Sequence, residues 1–277
     1  MRAWPILSLV ALSLLSTPAA AVMRGKVVRD PNGLRASVVR VESSGGELCS
    51  GALIGPDIVL TAAHCLTDSG RYRVTAVDRR FRPTSMRAVA AAVHPAFVPG
   101  TTPRTQPGID LAILKLERPL TSGFRPLDLR QAGRAGTGDT VILAGFGVVS
   151  ENQKRSARTL RETSLVVLGP MQVMNRVLVV ADQTRLGETT GAGACRGDSG
   201  GPILARAEDG YRLLGIVSWS SGAIASRSAT ACGGLTAVTP IAEHVRWIVE
   251  GTEALNQFSK SIVADSERGR RPRYMNR

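Results

Sequence analysis

The sequence predicts an all-β fold, a barrel or sandwich, in two halves of similar size and closed by one C-terminal helix. Three observations carry this. Short apolar, β-branched stretches recur along the chain with Gly, Pro, Asp and Ser between them. Residues 125–139 hold three glycines, a proline and few apolar side chains, and so divide the chain in two. One segment, after Pro240, carries helical periodicity.

In chain order, the first element lies outside the fold. Arg2, the apolar run 6–15 and Ala19-Ala20-Ala21 read as a signal peptide, residues 1–21, cut after Ala21. The run is shorter than the roughly 20 residues a membrane-spanning helix needs, and no later stretch supplies a transmembrane segment. The mature protein is therefore expected to start at Val22 and to be soluble, either secreted or periplasmic. Strands are expected at 37–41, 58–61, 73–77, 88–93 and 111–116 in an N-terminal half (22–130). Strands at 140–144, 165–168, 177–180 and 213–219 follow in a C-terminal half (131–253). After Pro240, Ile241, Val245, Ile248 and Val249 recur at helical spacing while Glu243 and Arg246 face away. The pattern fades beyond Gly251, so 254–277 is expected to be a basic, disordered tail.

Composition narrows the function. The 277 residues are 43% hydrophobic and 21% charged, enough to bury a large core and too apolar for global disorder. The net charge is +13, and 31 of the 35 basic residues are Arg. Such charge attracts polyanions. No helix-turn-helix, zinc-finger spacing or aromatic-basic repeat accompanies it, so it reads as Arg-rich codon usage and no nucleic-acid partner is expected. No acidic cluster in 67–87 suggests a calcium loop and no Cys/His cluster a zinc site, so neither metal nor cofactor is expected. Four cysteines fit an oxidising compartment and allow three pairings.

Three segments carry chemistry: Leu60-Thr61-Ala62-Ala63-His64-Cys65, Ile109-Asp110-Leu111-Ala112-Ile113-Leu114-Lys115-Leu116, and Cys195-Arg196-Gly197-Asp198-Ser199-Gly200-Gly201-Pro202. Singly, each has a plain structural explanation: a core histidine, a turn aspartate, a tight glycine loop. Together they supply what a serine nucleophile lacks at neutral pH, a neighbouring base and an acid that orients it. Asp57 and Asp68 flank the histidine segment, but neither begins an apolar strand as Asp110 does. His94 and His244 lack such a setting and read as a turn residue and a helix residue.

On these residues the sequence resembles the trypsin-like (chymotrypsin-fold) serine endopeptidases, over residues 22 to about 249. Cys49-Ser50-Gly51-Ala52-Leu53-Ile54, Val93-His94-Pro95, Ala144-Gly145-Phe146-Gly147 and Ser218-Trp219-Ser220 also look like segments of that family. The resemblance implies two packed antiparallel Greek-key β-barrels with a C-terminal α-helix. It implies Ser199 as nucleophile, His64 as general base and then acid, and Asp110 as the group that holds the imidazole. The N–H groups of Gly197 and Ser199 would form the oxyanion hole, each such donor lowering the barrier by about 3–4 kcal/mol. The implied disulfides are Cys49–Cys65 and Cys195–Cys232.

In this family a new N-terminal ammonium pairs with the aspartate before the serine, which here means Val22 with Asp198. Met23-Arg24-Gly25 stands where the family usually has Val-Gly-Gly. Gly193, between Ala192 and Ala194, stands where trypsin carries the aspartate that captures Arg or Lys. With Ser218, Trp219, Ser220 and Gly233 lining the walls and Arg196 at the rim, the pocket is expected to prefer an uncharged, apolar side chain, chymotrypsin- or elastase-like. The expected partners are protein or peptide substrates, and a monomer is expected. Two alternatives stand beside the endopeptidase: a binding protein that kept the fold without the activity, and a polyanion binder acting through the basic tail 260–277.

Overall fold

A computed structural model of the chain describes residues 22–267, except 30–32, 68–69, 79, 122, 185–190 and 223–229. The expected signal peptide 1–21 and residues 268–277 lie outside the described residues. A two-residue strand, β1 (Lys26–Val27), precedes the first barrel. That barrel consists of β2 (Val38–Ser43), β3 (Leu48–Gly55), β4 (Ile58–Thr61), β5 (Tyr72–Val77), β6 (Pro83–Val93) and β7 (Ala112–Leu116), closed in the order β2-β3-β4-β7-β6-β5. The second contains β8 (Thr140–Gly145), β9 (Arg161–Gln172), β10 (Arg176–Ala181), β11 (Pro202–Ala207), β12 (Gly210–Ser220) and β13 (Thr236–Pro240). Its order is β9-β10-β13-β12-β11-β8, and pairing of β8 with β9 closes the ring. Every pairing between strands is antiparallel.

The strands form where the sequence supplies stiff, β-branched side chains that fill a closed barrel. β4 (Ile-Val-Leu-Thr) and β7 (Ala-Ile-Leu-Lys-Leu) are buried along their whole length, which is why they read as largely apolar runs. All nine expected strands overlap observed ones. Four more, β1, β3, β11 and β13, escape the periodicity because they are short or rich in Gly, Ala, Ser and Thr. β1 leaves the first half to add to β9 of the second barrel, with Val27 opposite Arg161.

The helix corrects the sequence reading at two points. It runs from Val245 to Glu267, through residues expected to belong to the disordered tail. Ile248 is fully buried and Leu255 nearly so, extending the apolar stripe one turn at a time. Gly251, between them, lets the helix sit close: a Cβ there would lie 3.0 Å from the Ile113 side chain of β7. The Lys115 ammonium binds both Asp57 (2.5 Å) and Asn256 of the helix (2.6 Å), pinning the same contact. Val249, expected on the inner face, is instead 41% exposed. No helix among the described residues is long and apolar enough to cross a membrane.

Candidate active site

β4 ends at Thr61, and a single 3-10 turn, Ala63–Leu66, projects His64 from the rim of the first barrel. The Cys49–Cys65 disulfide ties this turn to β3. Both sulfurs are consumed in that bond, so the adjacent Cys49, Cys65 and His64 brace a loop and offer no thiolate to a metal.

Asp110, fully buried just before β7, meets the histidine twice. Its Oδ1 accepts the His64 backbone N–H (2.9 Å) and its Oδ2 lies 2.8 Å from His64 Nδ1. An ionised carboxylate only accepts, so Nδ1 carries the proton and Nε2 is left basic. Ser218 Oγ donates to Oδ2 as a third bond, 2.5 Å long. Burial pushes the Asp110 carboxyl up, but the His64 charge and hydrogen bond, the Ser218 hydroxyl and the His64 N–H outweigh it and hold it below its ordinary value. Asp57 is committed to Lys115 on the far side, and Asp68 lies outside the described residues.

The loop 195–201 is anchored by the Cys195–Cys232 disulfide and by a serine that sequence reading passed over. Ser50, on β3 of the first barrel, donates its hydroxyl to Gly197 O (2.8 Å) and its N–H to Ser199 O (2.8 Å). The same hydroxyl accepts from Phe146 N–H (2.9 Å), and Ser50 O accepts from Thr61 Oγ1 (2.8 Å). One residue thus links the serine loop to the strand that leads to His64. Gly200 makes the approach close enough: a Cβ there would sit 2.1 Å from Thr61 Oγ1 and 3.1 Å from Ala62 N. Ser199 is partly exposed at this seam. Among the described residues no hydrogen bond links its hydroxyl to the His64 ring, and His64 Nε2 lies 3.8 Å from Cys65 Sγ.

Gly197 takes φ +95°, open to glycine, where a Cβ would lie 2.9 Å from the Gly147 backbone. The N–H groups of Gly197 and Ser199 donate to no acceptor among the described residues. Asp198 turns inward instead. It is fully buried and accepts from Gly147 N–H (2.8 Å) and Cys195 N–H (2.9 Å). Gly145 and Gly147 form its cradle, since a Cβ on either would fall within 2.2 or 2.6 Å of its carboxyl. Burial pushes this carboxyl up to about 7, against the two N–H bonds and the charge of Arg161 on β9. Val22 is fully buried among the side chains of the second barrel, and Met23 exchanges both backbone hydrogen bonds with Gly193 (2.9 and 3.2 Å).

At Gly193 a Cβ would lie 3.0 Å from the Gly233 backbone, while Gly233 N–H donates to Ala194 O (2.8 Å). Trp219 and Ser220 are partly exposed at the end of β12, and the Ser220 hydroxyl donates to Ala231 O. Ser218, expected in the pocket wall, has its hydroxyl on Asp110. Arg196, expected at the rim, pairs with Glu151 (3.0 Å). Asp182 reaches the same region from β10's end, its carboxylate accepting from Ala192 N–H (2.9 Å) and Thr184 N–H (3.1 Å). A serine or glycine in a sequence gives no sign of such partners, and for Ser50 and Ser218 only the long-range pairing of strands reveals them.

Comparison with known proteins agrees with this architecture. The family profile described as Trypsin matches residues 25–248. The chain is 30% identical over 220 residues to serine proteinase stubble of Drosophila melanogaster, covering 72% of this chain and 27% of that protein. It is 29% identical over 192 residues to trypsin iota of the same organism, covering 65% and 71% respectively. The suppressor of tumorigenicity 14 protein homolog of Bos taurus is 30% identical over 202 residues, 64% of this chain and 22% of that protein. The chain thus spans only about a quarter of the length of two of these relatives. Among solved structures, human heparin binding protein superposes with a TM-score of 0.60 at 23% identity, covering 83% of this chain and 96% of that one, a likeness of fold. With two closed six-stranded antiparallel barrels, a C-terminal helix and a profile match across most of its length, the chain belongs to the trypsin family of serine proteases.

Proposed function

We propose that the chain is an exported serine endopeptidase that cleaves peptide bonds through Ser199, His64 and Asp110. His64 Nε2 takes the Ser199 proton as the hydroxyl oxygen attacks the substrate carbonyl. The resulting oxyanion is received by the N–H groups of Gly197 and Ser199. His64 then protonates the leaving amine, an acyl-enzyme remains, and water repeats the sequence to release the acid. The observation that carries this is the Asp110 carboxylate, buried and held by three donors, which fixes the imidazole with its second nitrogen basic. Ser199→Ala should lower turnover by about a millionfold, as loss of a serine nucleophile does in a related system. Labelling by a serine-directed phosphonate should vanish with it. Unchanged hydrolysis or labelling would refute the assignment.

The cleaved bond is proposed to follow an uncharged, apolar side chain. Gly193 and Gly233 meet backbone to backbone, and the Asp182 carboxylate is occupied by two N–H groups. No acidic side chain stands at Ala192, Gly193 or Ala194 to pair with a buried substrate cation. A peptide panel with efficient cleavage after Arg or Lys and little after Leu, Phe, Ala or Val would overturn this preference.

Export is proposed to complete the site, with removal of 1–21 freeing the Val22 ammonium to pair with Asp198. Burial of Val22 in the second barrel and the Met23–Gly193 bonds support that docking. Arg24, where the family has glycine, lies at φ +59°, a left-handed conformation costing about 1–2 kcal/mol for a side-chain-bearing residue. N-terminal sequencing of the active exported protein should return Val22. A monomer that takes protein or peptide substrates completes the reading.

A further inference from the structure

We infer that Arg104 selects substrates with an acidic side chain among the residues preceding the cleaved bond, because its guanidinium holds the carbonyl an extended substrate must use. This rests on the endopeptidase reading above. The pairing of β12 with β11 stops at Ile216 opposite Pro202. Val217 still exchanges backbone bonds with Gly200 and Gly201 (2.8 and 2.9 Å). Beyond it, among the described residues, β12 has a strand partner only on its other side, where Trp219 and Ser220 face Ala237 and Thr236 of β13. Ser221 N–H donates to Leu235 O on that side (2.8 Å), so by strand alternation the Ser220 carbonyl faces the open edge. An open edge next to a reactive serine is where an extended peptide adds as a further strand.

That acceptor is already engaged. Arg104 Nη2 donates to Ser220 O (2.5 Å) and reaches Thr230 O (3.5 Å), and the guanidinium carbon lies 5.6 Å from the centre of the Trp219 ring. The loop presenting Arg104 is built to hold still. Gln106, 1% exposed, accepts from Val98 N–H (3.0 Å) and Gly108 N–H (2.8 Å), and donates to Val98 O (3.0 Å) and Thr101 Oγ1 (2.7 Å). Among the described residues the Arg104 guanidinium donates to carbonyls and to no carboxylate. A substrate backbone that takes Ser220 O therefore displaces a cation. A carboxylate on the substrate gives that cation a charged partner in return, whereas a neutral side chain does not.

The test is a peptide series with Glu or Gln, in turn, at each of the three positions before the apolar residue at the cleaved bond. The wild-type enzyme and Arg104→Ala and Arg104→Lys variants are assayed at low and high salt. In the wild type, Glu should raise kcat/KM over Gln about three- to fivefold at one of these positions, the range of an exposed charge pair. The ratio should collapse toward one in molar salt, where screening acts within about 3 Å. Arg104→Ala should abolish the ratio and lower KM for the Gln peptides, and Arg104→Lys should keep part of the acid preference. No acid preference in the wild type, or an unchanged ratio in Arg104→Ala, overturns the inference. Because each ratio is taken within one protein, partial misfolding of a variant cancels. Cleavage of no peptide, or cleavage untouched by Ser199→Ala, instead overturns the endopeptidase reading.

Discussion

The site contains two buried aspartates, one on each side of its seam, and they are held in opposite ways. Asp110 and Asp198 are both fully buried. Asp110 receives two bonds from His64 and one from Ser218, enough to outweigh its burial, and stays below its ordinary carboxyl range. Asp198 receives two backbone N–H bonds and the field of Arg161, and burial wins, lifting it to about 7. The difference lies in what each barrel supplies. The first barrel brings an imidazole to its own acid, and the second adds the Ser218 hydroxyl to the same carboxylate. The second buries an acid whose two N–H bonds and neighbouring Arg161 do not offset its burial, and in the proposed reading the Val22 ammonium supplies the missing charge.

Replacing that acid should break the comparison most strongly. In the chain that begins at Val22, Asp198→Asn leaves a buried ammonium without its partner, a loss of about 3–5 kcal/mol. If that falls on the active conformation, kcat/KM drops by at least a hundredfold. In the chain that still carries 1–21, no ammonium is lost. There the same substitution leaves one of the two buried N–H groups without an acceptor, since the amide nitrogen of Asn only donates, and stability should fall by only about 1–3 kcal/mol. The pH dependence follows the same logic. With the folded carboxyl at about 7 against an ordinary 3.8, the folded precursor keeps a proton that the unfolded chain loses between those values. Its stability should fall as pH rises across that window, and removal of 1–21 should erase the slope. Denaturant titrations of both chains from pH 4 to 8 measure it. Equal effects of Asp198→Asn in the two chains would show that the loop needs no ammonium.

Ser218→Ala sharpens the comparison from the other side. It removes one of three donors to Asp110, a bond to a charged group worth about 1.5–3 kcal/mol. The carboxyl keeps both His64 bonds, so the expected loss in kcat is about tenfold or somewhat more, with KM little changed. An unchanged kcat would show that the His64 contacts suffice.

The sequence displays the reactive groups and hides their supports, for a physical reason. His64, Asp110 and Ser199 each sit in a short motif whose local pattern is distinctive. Ser218 and Ser50 act across strand pairings, Ser218 on an aspartate 108 positions away and Ser50 on a carbonyl 147 positions away, and such registers are set by barrel closure. Gly145 and Gly147 are visible as a family-like segment, but only the Asp198 carboxyl between them explains why neither can bear a Cβ. Strands β4 and β7 are legible because burial along their whole length demands largely apolar runs, the one cation, Lys115, being paired with Asp57. β11 and β13 are not, being built largely from small or polar residues. Gly251 reads as a place for a helix to end, yet it is the point where the helix presses on Ile113.

The smallest effect concerns the helix that clamps the histidine half, and its sign is opposite to that of Asp198. His94, just after β6, packs edge-on to His244 (5.1 Å between ring centres) and against Trp247 of the helix (4.7 Å). Burial, then the charge of His244, lowers His94 from 6.5 to about 4. Burial also lowers His244, against the pull of Glu243. Both rings are therefore neutral in the folded protein at pH values where the unfolded chain takes up protons. A depressed histidine gives stability that is present above 6.5 and lost as pH falls toward 4. His94→Phe keeps an aromatic ring against His244 and Trp247 while giving up the bond from Ala96 N–H (3.2 Å). It should therefore lower stability slightly at pH 7.5 and flatten the acid slope, with Trp247 fluorescence following the helix. Acid should thus loosen the clamp on the preformed half over the same range in which it stabilises the unprocessed serine half. A precursor whose acid slope is unchanged by His94→Phe would show that this ring cluster does not couple the helix to the barrel.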